Sequence, residues 1–395
     1  DDLVVADLIE GAREIPDENF AAAIDVALGE PALAGKLIST DGGFTGVNVT
    51  YQLPGKTQTE VPEAVAAARA LQERIEAEYP VEIHLTGMVM LNNAFFEASM
   101  RDMGTLMPGM MLIIVLVAWL LLRSFSATIG AVFVLIFSVM TGMGLAGHFG
   151  IPLTPPSSAA PTIIMTLAVA DSIHILMTMI AQMKAGGLDK RAAIIESMRQ
   201  NFQPVFLTSL TTGVGFLSLL FSDSPPFGHL GLITAMGVVG AFVYSVTFLP
   251  AFLSMVPVRP KRSVGEYTGV MDRLAAFVNR NPRRILWGGG AVAILLMALI
   301  PLNEVNDDFV GYFAEGTTFR TAIDFTTDNL TGAYQLQYSL ESGDDNGIAD
   351  PEFLAKVGAF TDWLREQPEV IQVDSVSDTF KRLNKSLHAD DPAYY

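Results

Sequence analysis

SAAPTIIMTLAVADSIHILMTMIAQ, residues 158 to 182, is a run of 25 residues holding one acid, Asp171. Apart from Asp171 and His174 it reads as a helix able to cross a bilayer, whose hydrocarbon core takes about 20 apolar residues. Five more runs share that character, so the set is 104–122, 127–149, 158–183, 203–221, 228–256 and 284–302. A buried soluble helix explains any one of them. Six in series, each near spanning length, point to a polytopic membrane protein.

Charge divides along the same boundaries. Of 42 acids, 18 lie in residues 1–103 and 18 in residues 303–395. Only Asp171, Asp189, Glu196, Asp223, Glu266 and Asp272 lie between. Twelve of the 24 Lys and Arg fall at Arg123, Lys184 to Arg199 and Arg259 to Arg284, in alternate loops. Loops 150–157 and 222–227 carry none. Cytoplasmic loops gather Lys and Arg, so 123–126, 184–202 and 257–283 are read as inside and both acidic segments as outside. Six crossings return the chain to its starting side, in agreement with the charge. The absence of cysteine fits an oxidising compartment. Nothing at the start resembles a signal peptide, and the first residue is not Met. The expectation is a piece of a longer protein.

The first acidic segment contains GFTGVNVTYQLP (43–54), which alternates like a half-buried strand. EVPEAVAAARALQERIEAE (60–78) follows as an amphipathic helix with Pro62 in its first turn, and PVEIHLTG (80–87) alternates again. The second acidic segment repeats the order with AYQLQYSLE (333–341), DPEFLAKVGAFTDWLRE (350–366, Asp350 as N-cap) and EVIQVDSVS (369–377). Such weak repeats are common in transporters built from two halves. One helix ahead of each external segment and five behind it make an expected twelve spans, six of them here. DKRAAIIESMRQ (189–200) and DRLAAFVNRNPRR (272–284) read as amphipathic helices on the inner surface, with Pro204 starting the next span.

Asp171 is the 14th residue of its 25-residue run, near mid-membrane. A charged carboxylate there costs about 2.5–3.5 kcal/mol on insertion scales, and less if protonated, paired or facing water. His174 at i+3 and Thr178 at i+7 form one stripe with it, while Ser172 is turned about 100° away. Imidazole donates and accepts, so it can pass a proton on or hold the carboxyl in place. QPVFLTSLTTGVGFLSLLFS (203–222) is the expected partner helix, with Thr208, Thr212 and Gly215 on one face and Ser209 and Thr211 also present. Proton relay is one role for these groups, and hydrogen-bonded helix packing is the other. Metal ligation lacks a third ligand, and His148, His229, His84 and His388 need no special role. GLITAMGVVGAF (231–242) reads as close packing through Gly231, Ala235, Gly237 and Gly240. With no P-loop, GxSxG or HExxH pattern, no enzyme and no cofactor are expected, and the proton gradient is the natural energy source.

PTIIMTLAVADSIHILMTM (161–179), the block 189–253 and LTGMVMLNNAFFEASMRDM (85–103) together resemble the resistance-nodulation-division superfamily. The closest likeness is to its MMPL-type, predicted-exporter (hydrophobe/amphiphile efflux) branch. Residues 104–256 resemble a sterol-sensing-domain bundle. The resemblance implies an α-helical polytopic protein with α+β ferredoxin-like porter domains in the periplasm. The domains would run 1–103 (first porter domain), 104–256 (five-helix bundle), 257–283 (inner linker), 284–302 (helix opening the second half) and 303–395 (second porter domain). It also implies proton-driven export of hydrophobic or lipid-like substrates from a bacterial inner membrane, with Asp171 at the relay position. Ala170-Asp171-Ser172 lacks the paired acids of drug-efflux members and the Asp-Tyr pair of MMPL-type members. A second relay site is expected beyond Tyr395. Expected partners are membrane lipids and the lipid-like substrate, with a periplasmic adaptor, an outer-membrane partner and self-association left open, and no nucleic acid. A protein-translocation accessory and a lipid- or sterol-sensing receptor are the alternatives.

Overall fold

A computed structural model describes residues 17–395 apart from 31–32, 58, 185–186, 259–264, 305, 333, 344 and 390. Parts of the expected segments 1–103, 184–202, 257–283 and 333–341 thus lie outside the described residues. In chain order the helices are α1 (Asp17–Gly29), α2 (Glu60–Glu78), α3 (Met88–Gly104), α4 (Leu106–Leu122), α5 (Phe125–His148), α6 (Ala160–Lys184) and α7 (Lys190–Leu217). They continue as α8 (Pro225–Val243), α9 (Leu249–Met255), α10 (Gly265–Arg280), α11 (Pro282–Ala298), α12 (Thr318–Asn329), α13 (Pro351–Arg365) and α14 (Val376–Leu387). A π-helical turn, Tyr244–Phe248, joins α8 to α9. Contacts divide the chain into two units, one formed by the residues up to Ala94 with those from Asp307 on, the other by Phe95–Asn306.

Among the described residues six helices are long and apolar enough to cross a membrane: Met88–Leu122, Phe125–His148, Ser157–Lys184, Lys190–Phe221, Pro225–Met255 and Pro282–Leu302. They match the six apolar runs in number and order. α6 packs against α4, α5, α7 and α8. Its buried side chains Ile164, Ala168, Ile175, Leu176 and Met179 supply much of the bundle core. None of α11's residues is buried.

Two expectations change here. Residues 189–200 do not form a separate surface helix, because α7 runs unbroken from Lys190 to Leu217. Pro204 lies inside it rather than at its start. Proline removes one i→i−4 bond, that to the Gln200 carbonyl, and α7's long packed faces against α6 and α8 outweigh that loss. In the other linker the chain does break, at Asn281 before Pro282, separating α10 from α11.

In the first unit the helices follow their local signals. Asp350 caps α13 by accepting the Glu352 N–H, and Ser375 with Asp378 forms a capping box for α14. The expected strands do not form: among the described residues there are only isolated bridges, Ala34 with Ile38 and Ile38 with Thr45. Alternation marks a face, but a strand exists only through pairing. Segment 80–87 is tied to α2 by side chains instead. Gln72 donates to the Ile83 carbonyl at 2.7 Å, and Glu76 accepts the Ile83 N–H at 2.8 Å. Residues 376–377 of the last expected strand open α14.

The two acidic segments pack into one unit. Phe325 of α12 takes the His84 ring at 4.0 Å and the Phe44 ring at 5.0 Å. Ion pairs Lys36–Asp374 and Glu30–Arg382 join the same segments. Between them lies a cleft of about 620 Å³, lined by Arg69, Gln72, Glu76 and His84 on one side and Thr318 and Thr321 on the other.

Candidate functional site

Asp171 lies on the fourth turn of α6 and is 9% exposed. The Ser209 hydroxyl of α7 donates to Asp171 Oδ2 at 3.1 Å. A second polar link holds the same two helices: Ser197 Oγ donates to the Ile175 carbonyl at 2.6 Å, and both groups are buried. With little hydrophobic drive between apolar helices in lipid, such bonds and close packing set their register.

Small residues bring the helices close enough for this. A Cβ on Gly237 would lie 2.2 Å from Ile164 Cδ1, and one on Gly142 of α5 would lie 3.1 Å from the Gly237 Cα. Gly231 lets α8 approach the Phe216 carbonyl, where a Cβ would come within 2.2 Å. The glycines of 231–242 thus serve the close packing that their sequence suggests.

The other residues singled out are placed as follows. Ser172 is fully buried and donates to its own helix, at the Ala168 carbonyl, at 2.9 Å. His174 is exposed, one turn past Asp171, and among the described residues no ion pair joins the two. Thr178 donates back to the His174 carbonyl at 3.0 Å. Thr208 is exposed and bonded to the Val205 carbonyl at 3.0 Å. Thr212 is half-buried. The α7 hydroxyl on Asp171 is therefore that of Ser209, one residue from Thr208 and turned about 100° from it. The sequence pattern put Thr208 and Thr212 on the partner face and missed Ser209, although the same stretch contains it. Among the described residues no cluster of His, Asp or Glu is placed to hold a metal ion.

The sequence matches the MMPL family over residues 5–285. The chain belongs to that family. It is a multi-pass membrane protein, with six helices of spanning length. Over 218 residues it is 29% identical to the hopanoid transporter HpnN of Rhodopseudomonas palustris, a match covering 54% of this chain and 24% of that protein. Over 288 residues it is 23% identical to the siderophore exporter MmpL5 of Mycobacterium tuberculosis, covering 70% of this chain and 30% of that protein. The chain thus spans under a third of the length of either relative.

Proposed function

We propose that the protein is a proton-driven secondary transporter that moves hydrophobic or lipid-like substrates outward from a bacterial inner membrane. The observation carrying this reading is the Asp171 carboxyl, buried within the bundle on α6 and bonded by a hydroxyl of the neighbouring helix. A charged carboxylate at such depth is costly, and the group can exist charged or neutral. In the charged form it draws the Ser209 hydroxyl, and in the neutral form it becomes a donor itself. The two forms favour different α6–α7 packings, which couples proton uptake to helix movement.

The direction and substrate class are supported by the relatives, one named for hopanoid transport and one for siderophore export. The acidic first unit is the periplasmic porter region, and a ferredoxin-like character for it is only what the family resemblance implies. His174, Thr178, Ser172 and Thr212 stand around the relay as positioning groups, and Ser209 takes the place expected of Thr208. Lipid covers the exposed apolar side chains of α4, α7 and α11, among them Leu112, Phe206 and Leu295. The deciding experiment is proton flux and lipid export by Asp171→Asn in the full-length protein, reconstituted in liposomes. Loss of both is expected. Unchanged transport with its normal pH dependence overturns the reading.

A further inference from the structure

Two hydroxyls of the bundle core differ from all their neighbours. Thr234 of α8 and Ser245 of the π turn are each 0% exposed. Among the described residues neither hydroxyl has a hydrogen-bond partner. The other buried hydroxyls of the helices are satisfied. Thr128, Ser138 and Ser172 each donate to the carbonyl four residues back, at 3.0, 2.6 and 2.9 Å, and Ser197 donates to α6. Leaving a buried hydroxyl without a partner is unfavourable, and ordered water is the usual remedy.

Their position is set by helix register. α6 and α8 run parallel: Ala160 shares a core cluster with Ile233 near one end, and Ile175 shares one with Leu249 further along. Ile164 meets Gly237 between them. Asp171 lies seven residues past Ile164, and Ser245 eight past Gly237. At about 1.5 Å per residue the two sit at nearly one depth. Seven residues is close to two full turns, so Asp171 shares the Ile164 face. Gly237, Ala241 and Ser245 follow at four-residue steps, and the π turn packs against α6. Thr234 and Ser245, eleven residues apart, are nearly in line along α8. A π turn widens the helix locally and often marks a functional site. Tyr244 beside it is engaged elsewhere, its hydroxyl 3.0 Å from Thr141 Oγ1.

We propose that Thr234 and Ser245 bind water inside the bundle and open a hydrated route to Asp171 along the α6–α8 interface. The route rests on the proton-driven reading, whereas the water site does not. In the proton-carrying step, a hydronium held at Ser245 gives one proton to the Asp171 carboxylate, leaving neutral water and a neutral carboxylic acid.

The chain has no cysteine, so single thiols report hydration against a silent background. N-ethylmaleimide reacts with thiolate, which forms in water and not in a dry core. In the full-length protein, otherwise free of cysteine and kept in lipid vesicles, Ser245→Cys and Thr234→Cys should label at least tenfold faster than Val238→Cys, which is 2% exposed on the same helix. Labelling of Ser245→Cys no faster than Val238→Cys overturns the water site. Proton flux in Ser245→Ala is the second measurement, with at least a tenfold loss expected. Fast labelling with undiminished flux overturns the route. Labelling reads hydration alone, so a failure of proton coupling in the unsubstituted protein leaves the labelling result standing and is distinguishable from it.

Discussion

The Ser209 hydroxyl reaches across from α7 to Asp171 Oδ2, 3.1 Å away, and is the protein donor on the buried carboxylate. Removing it should slow proton-coupled transport. Hydrogen bonds to charged groups are worth about 1.5–3 kcal/mol, which is roughly ten- to a hundredfold in rate if the bond acts only in the charged form. Ser209→Ala should show that loss in a liposome flux assay, and Ser209→Thr should keep most of the activity. Thr208→Ala, whose hydroxyl bonds its own helix, should change flux by less than about twofold. Equal loss in Ser209→Ala and Thr208→Ala would sink this assignment.

Much of this was legible in the residues, and the failures have physical causes. Six spans follow from apolar length alone, because a bilayer imposes a minimum run. Asp171 stands out because no other acid interrupts those runs. Which α7 hydroxyl meets it was not legible, since Thr208 and Ser209 differ by one step of rotation and helix rotation is set by packing. That packing rests on contacts such as Gly231 against Phe216, far from either residue in sequence. The caps at Asp350 and Ser375 are local and could be read. The strands at 43–54 and 80–87 depended on distant pairing, and Gln72 and Glu76 of α2 took the Ile83 backbone groups instead.

The joint between the two acidic segments should depend on rings more than on charge. Phe325 touches both His84 and Phe44, while Lys36–Asp374 and Glu30–Arg382 are partly exposed ion pairs. Partly exposed pairs contribute about 0–1 kcal/mol, and aromatic pairs add about 0.5–1.5 kcal/mol beyond the area they bury. Phe325→Ala should therefore lower the thermal midpoint more than Arg382→Gln and Lys36→Gln combined. Raising the salt concentration should change the wild-type midpoint little. A midpoint that falls steeply with salt, with Phe325→Ala near wild type, would reverse the ranking.

Asp308 predicts an acid limb for the same unit. The Tyr334 hydroxyl donates to its carboxylate at 2.6 Å, and the Gly311 and Val310 N–H groups add to this, holding the carboxyl below its ordinary value of 3.8. A folded-state value below the unfolded one means that the stabilisation is complete above the unfolded value of 3.8 and is lost as pH falls through the folded one. Tyr334→Phe brings the folded value back toward 3.8. Thermal midpoints of the two proteins from about pH 3 to about pH 7 should differ most at the upper end and converge toward the lower. A gap that widens on acidification contradicts the assignment.

Two glycines of α8 should respond differently to one added methyl. At Gly231 the new Cβ would lie 2.2 Å from the Phe216 backbone oxygen, which moves only if α7 moves. At Gly237 it would lie 2.2 Å from Ile164 Cδ1 and 2.5 Å from Cγ1, the outer atoms of a side chain. Overpacking a core costs about 1–3 kcal/mol, and more where backbone must shift. Gly231→Ala should be the more damaging in detergent melting. Ile164→Ala should restore much of what Gly237→Ala loses, because it removes the atoms that clash, and it should do nothing for Gly231→Ala. Transport should follow the same order, since α8 sets the position of α6 and so of Asp171. If Ile164→Ala worsens Gly237→Ala by the sum of the two single losses, the contact between α6 and α8 is not the one described here.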